Sequence, residues 1–149
     1  MNRILLAVDG SECSMRAAAL SGELSDRLGA IVDIINVVSD TTMVRTSGAL
    51  AEYAQLENVF LTQRDLLKSA GTEVVAQASK VVGDCGGKVD EADVLIGSPA
   101  QAIVKYAERR DSDCIVMGRR GLGDFKGLMM GSISHRVGHL TNTTLTTVA

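Results

Sequence analysis

The sequence has no tryptophan and only two tyrosines and two phenylalanines in 149 residues. With so few rings, the stacking platforms on which single-strand nucleic-acid binders lay their bases are nearly absent. One proline beside fifteen glycines excludes a Pro-rich disordered chain and a collagen-like one. No apolar run approaches the ~20 residues of a membrane span. The start of the chain also lacks the basic-then-apolar layout of a secretory signal. The three cysteines, Cys13, Cys85 and Cys114, are odd in number, far apart and without a C-x-x-C pair. They therefore read as reduced thiols and not as a disulfide framework or a zinc site, with Cys114 inside an apolar run and so in the core. The net charge of −3 gives no global attraction to nucleic acid or to an anionic membrane. A cytoplasmic protein that binds neither is the expectation.

What is present is a chain that is 46% hydrophobic, enough for one compact domain that buries roughly 70% of its unfolded surface. The expected organisation is a single domain over 1–149, without internal repeats. Arg3 to Val8 is an apolar run closed by Asp9-Gly10-Ser11, which reads as a buried strand and its turn. Ser11 suits a helix N-cap, Glu12 opposes the helix dipole, and Ala17, Leu20, Leu24 and Leu28 form one apolar face before Gly29 ends the helix. Ile31 to Val38 is the next strand, so the first forty residues form a βαβ unit.

Residues 39–50 are polar and aperiodic, and are expected to form a mobile loop. Tyr53, Phe60, Leu67, Val74 and Val81 then recur every seven residues, a helical stripe. A single helix from 49 to 84 would be ~54 Å long, so a break is expected before Phe60 or at Gly71. Val89 to Ile96 reads as a strand, Pro99 as the first residue of a helix carrying Ala102, Ile103, Tyr106 and Ala107, and Cys114 to Met117 as a strand. A helix from about Ser132 to Leu140 and a strand from Leu145 to Val148 complete the chain. The predicted fold is α/β: a single open, doubly wound, five-stranded parallel sheet with helices on both faces.

Glycines are concentrated in one place. Gly118, Gly121, Gly123, Gly127 and Gly131 fall within fourteen residues, between a strand and a helix start. Glycine lets backbone N–H groups approach an anion, and the helix N-terminus adds its positive end. Between 109 and 139, six Lys or Arg face three acids, a local +3 that leaves −6 on the rest of the chain. A basic, glycine-rich turn at the carboxyl end of a strand points to phosphate. It is not a Walker loop, because no glycine is followed at the right distance by Gly-Lys-Ser/Thr. Nor is it a dinucleotide turn, because the first βα turn holds only Gly10.

Gly118 and Gly121, then nine residues, then Gly131-Ser132-Ile133-Ser134 closely resemble the nucleotide-binding signature of the universal stress protein family. Ile4 to Ser11 resembles that family's opening strand and acidic turn, Val94 to Pro99 with Ile103 its third strand and following helix, and Asp113 to Gly118 its fourth strand. The resemblance implies a Rossmann-like fold of the adenine nucleotide alpha hydrolase type that binds ATP, or AMP or ADP. It implies that Gly118, Gly121, Gly131 and Ser132 hold phosphates, with Ile133 in the same turn and Ser134 adding a contact. Asp9 would lie beside ribose and phosphates and help to hold Mg²⁺. Val37 would offer its backbone to the adenine edge, Ala7 and Met117 would supply apolar walls, Gly97 would border the ribose, and the loop at 39–50 would cover the nucleotide. The resemblance also implies a homodimer through the C-terminal strand, although Asn142 to Ala149 is threonine-rich and lacks the proline common there.

Three functions remain open on sequence: a nucleotide-dependent sensor or switch serving an unidentified protein partner, a slow ATPase or phosphotransfer enzyme, and an interaction scaffold without nucleotide. For the enzyme, no motif places a general base or an arginine finger. Arg119 and Arg120 add charge near the turn, as a phosphate contact or as a solvated corner. His135 and His139 have metal-like spacing, but two ligands rarely make a site.

Overall fold

The computed structural model describes residues 1–39, 57–122 and 130–149. Its strands are β1 (Arg3–Ala7), β2 (Ile31–Ser39), β3 (Lys88–Gly97), β4 (Cys114–Gly118) and β5 (Thr144–Val148). Its helices are α1 (Glu12–Leu28), α2 (Glu57–Asp84), α3 (Pro99–Arg109) and α4 (Ser132–Leu140). The strands form one sheet in the order β3-β2-β1-β4-β5, every neighbouring pair parallel. This is the doubly wound sheet that the strand–helix alternation predicts. No described helix is long and apolar enough to cross a membrane.

The three inner strands are covered on both faces, which is why they read as unbroken apolar runs. Ile4 and Leu6 point to one face, where Ala17 and Ala18 of α1 and Val75, Ala78 and Val82 of α2 pack on them. Leu5 and Ala7 point to the other, against Ala100, Ile103 and Val104 of α3 and Val137 of α4. Each fully buried Ile or Leu contributes about 1.5–3 kcal/mol, whereas an exposed ion pair contributes about 0–1 kcal/mol. The two apolar layers therefore set the positions of the strand ends. Cys13 and Cys114 are buried and all three cysteines are free thiols.

Helix boundaries follow the local chemistry. The Ser11 side chain accepts the Ser14 amide at 3.2 Å, and Gly29 closes α1 in the left-handed conformation. The stripe beyond residue 57 forms one helix that runs through Gly71 without a break, which corrects the alternative of an interruption there. Residues 40–56, including most of the expected covering loop, lie outside the described residues. Gly71 serves packing instead. A Cβ there would stand 2.6 Å from Asn36 Oδ1 and 2.8 Å from a Val94 methyl, so only glycine lets α2 sit this close to β2 and β3. Asn36 cannot easily yield, because its side-chain amide donates to the Val8 carbonyl at 2.8 Å.

At the amino-terminal edge of the sheet lies a charge cluster that the strand pattern does not announce. Asp33, completely buried, accepts from Arg3 Nη1 at 2.8 Å and from Arg110 Nε at 3.0 Å. The same arginines reach Asp90, and Arg110 also pairs with Glu91. The Arg3 hydrogen bond holds the Asp90 carboxyl below its ordinary range. The Asn2 and Arg3 amides do the same for Asp113. Burial and the Glu91 carboxylate push the Tyr106 phenol up.

Two outcomes follow from this packing. In an exposed helix, Gly→Ala would stabilise by about 1 kcal/mol. At Gly71 the crowding against Asn36 and Val94 outweighs that gain, and Gly71→Ala should lower the unfolding free energy by about 1–2 kcal/mol in urea titration; an increase would contradict the packing account. Because the Asp113 pKa is depressed in the folded state, its stabilisation is complete above the unfolded value and is lost as pH falls through the folded one. Stability should therefore decline below about pH 4, and Asp113→Asn should make that decline shallower.

Candidate functional site

β1 and β4 lie side by side at the centre of the sheet, but the chain leaves them in opposite directions, to β2 on one side and β5 on the other. Such a reversal opens a crevice beyond the carboxyl ends of the strands. Here the crevice is a cavity of about 340 Å³, within the range of small-molecule sites. One wall is apolar: Ala7, Ile35, Val37 and Met117 from the strands, Pro99 and Ile103 from α3. The other is polar and is formed by Asp9, Gly118 to Leu122 and Gly131 to Ser134.

The apolar side ends in an unused backbone edge. β1 pairs with β2 as far as Ala7↔Ile35, and the Ile35 carbonyl accepts the Val8 amide at 2.9 Å. Backbone groups alternate in direction along a strand, so the N–H and C=O of Val37 face the same way as those of Ile35. By then β1 has ended, and the Val8 carbonyl is taken by Asn36. Val37 thus presents one donor and one acceptor to the cavity.

The polar wall is held by a few short bonds. A Cβ on Gly118 would lie 2.9 Å from the Ser14 amide nitrogen and 3.0 Å from Cys13 Cβ, so glycine is needed where β4 passes under the first turn of α1. Asp9 accepts the Ser11 amide at 3.0 Å on one oxygen and the Leu122 amide at 3.1 Å on the other. It thereby ties the segment after β4 to the turn after β1. The Arg119 carbonyl accepts the Gly131 amide at 2.7 Å and the Ser134 hydroxyl at 2.8 Å. These bonds set the start of α4 against the end of β4. No described side chain caps α4, whose N-cap is Gly131. The first-turn amides of Ser132 and Ile133 have no intrahelical acceptor and lie on the cavity wall.

Of the residues singled out on sequence, Ala7, Asp9, Val37, Met117, Gly118, Gly121, Gly131, Ser132, Ile133 and Ser134 all line this cavity. Gly97 does not. It ends the outermost strand, paired with Ser39 and one strand removed from β1, and the following helix supplies Pro99 and Ile103 to the wall in its place. Ser134 is present, but its hydroxyl proton is committed to the Arg119 and Gly131 carbonyls, so its work is positional. Gly123 and Gly127 lie outside the described residues. Ile35 and Ile103 were not foreseen, although spacing could have found them: Ile35 is two residues before Val37 on a strand, and Ile103 four after Pro99 on a helix. Among the described residues Asp9 is the sole carboxylate of the wall, and nowhere do three or more His, Cys, Asp or Glu converge as a metal site. His135 and His139 touch through their Nε2 atoms at 3.3 Å on exposed α4 surface, two groups only.

The model of the universal stress protein family matches residues 1–149. This chain belongs to the universal stress protein family. It is similar to universal stress protein YxiE of Bacillus subtilis, 28% identical over 141 residues covering 94% of this chain and 93% of the relative. Its fold is that of the solved structure of MJ0577, a universal stress protein of Methanocaldococcus jannaschii, with a TM-score of 0.82, 22% identity, and coverage of 99% of this chain and 94% of that one. A universal stress protein of Archaeoglobus fulgidus, solved in complex with dAMP, superposes with a TM-score of 0.63 at 18% identity, covering 100% of this chain and 98% of that one. In this universal stress protein the Ser134 hydroxyl is a test of the hub at Arg119. Ser134→Ala removes a buried donor and should cost about 1–2 kcal/mol in urea unfolding; a loss under about 0.3 kcal/mol would show that Gly131 alone holds α4.

Proposed function

We propose that this universal stress protein binds an adenine nucleotide, ATP above all, in the β1/β4 crevice and acts as a nucleotide-dependent sensor or switch. The observation that carries the reading is the amino terminus of α4, capped by no described side chain, on the wall of a cavity whose opposite wall is apolar. A helix N-terminus is a ready anion site, and a flat heteroaromatic base suits a slot between Val37, Met117 and Ile103. The free backbone donor and acceptor of Val37 match the paired acceptor and donor on the adenine edge. The phosphates would take the Gly118, Gly121, Gly131 and Ser132 side of the wall, with the ribose near Asp9. The Archaeoglobus relative was solved with dAMP, and another universal stress protein of the same fold with cAMP, which supports an adenine nucleotide as the ligand.

Mg²⁺ binds through one or two carboxylates plus substrate phosphates and keeps several waters. One carboxylate, Asp9, fits an ion that arrives with the nucleotide and does not fit a metal cage built by the protein alone. We assign to the whole of 1–149 a single domain of cytoplasmic location, paired as a homodimer through β5. That strand lies at the edge of the sheet, where an unpaired ladder invites a second chain. The partner protein that reads the nucleotide state is to be found by experiment.

Isothermal titration of nucleotide-stripped protein tests the reading. One ATP should bind per chain with a micromolar Kd, near −8 kcal/mol, and Gly131→Val, which crowds the start of α4, should weaken it at least tenfold. No heat and no adenine nucleotide released from freshly purified, denatured protein would overturn it.

A further inference from the structure

Among the described residues Arg119 has no partner for its charge. The other arginines with described ion pairs are satisfied: Arg3 and Arg110 on Asp33 and Asp90, Arg16 on Glu12. Arg119 makes no ion pair among the described residues, and its Nε is buried without a hydrogen-bond partner. A guanidinium stays protonated, offers five donors and accepts nothing. Leaving one of those donors buried and unmade is unfavourable, and no described residue supplies an acceptor for it.

The backbone of this residue cannot shift to relieve the mismatch. Its amide donates to the Val148 carbonyl at 2.7 Å, and its carbonyl accepts from Gly131 and Ser134. The side chain therefore starts from a fixed point on the cavity wall, beside the open amides of α4. Arg120, also on the wall, has no described ion pair either. Two guanidiniums and a helix end exceed the charge that a cyclic phosphodiester, with its single negative charge, can balance. They match a chain of phosphates.

We infer that Arg119 sets the number of phosphates this protein prefers, its guanidinium taking the phosphates beyond the first in a nucleoside polyphosphate. The inference rests on the nucleotide reading above and goes beyond it: the helix end and glycines would serve any adenine nucleotide, whereas Arg119 separates ATP from AMP and from a cyclic monophosphate. The guanidinium fork binds phosphate oxygens in pairs, which a lysine ammonium cannot reproduce.

The test is calorimetry of the nucleotide-stripped full chain with ATP, AMP and cAMP, for the wild type, Arg119→Gln and Arg119→Lys, each first checked for an unchanged urea midpoint. The wild type should bind ATP at least about tenfold more tightly than AMP or cAMP. Arg119→Gln should weaken ATP about tenfold or more, the scale of one lost charge-assisted bond, and leave AMP within about twofold. Arg119→Lys should fall between. Equal wild-type affinity for ATP and AMP, or equal loss of both in Arg119→Gln, would overturn the role of Arg119 while leaving nucleotide binding intact. No binding of any of the three nucleotides to the wild type would overturn both.

Discussion

The carbonyl of Arg119 is the joint on which the rest of the site depends. It sits one residue past the end of β4 and receives both the first amide before α4 and the buried hydroxyl of Ser134. Both bonds are short, and together they decide where the amino-terminal end of α4 points. The Asp9 carboxylate makes the complementary tie from the β1 side, through the amides of Ser11 and Leu122. The polar wall is thus held both by the Arg119 backbone carbonyl and by two side chains, the Asp9 carboxylate and the Ser134 hydroxyl.

The two ends of the sheet are built on opposite principles. At the amino-terminal edge, the buried Asp33 and its arginines satisfy one another, which is what a buried charge requires if it is not to destabilise the fold. At the carboxyl edge, donors lack partners among the described residues: the first amides of α4 and the Val37 edge lie on the cavity wall, and Arg119 Nε is buried. α1 and α4 make the same contrast, the first capped by Ser11 and the second by no described side chain. In a parallel sheet this polarity is inherent, because every crossover brings helix N-termini to the carboxyl ends of the strands.

Much of this was legible in the residues alone. The inner strands announced themselves as apolar runs because both faces are covered, and Ser11 and Gly29 marked the ends of α1 by their chemistry. The glycine spacing from Gly118 to Gly131 located the polar wall. What was not legible depended on tertiary contacts. Gly71 looked like a helix stop, yet its missing side chain lets α2 approach Asn36 and Val94. Gly97, expected to border the ribose, ends β3 one strand removed from β1, a placement set by strand order. Ser134 lines the cavity as expected of a contact residue, and its hydroxyl also meets the Arg119 and Gly131 carbonyls, a pairing that the motif does not announce. Asp33, inside an apolar run, gave no sign that Arg3 and Arg110, distant in sequence, would meet it.

We propose that the unpartnered donors at the carboxyl edge form one ligand site. Backbone amide chemical shifts, followed while ATP is added to nucleotide-stripped protein, test it most directly. The account predicts that the largest changes gather at Val37, Gly118, Ser132 and Ile133, on both walls of the crevice at once, while Asp33 and Asp90 at the other edge stay still. Shifts centred on the Asp33 edge, or confined to one wall, would contradict it.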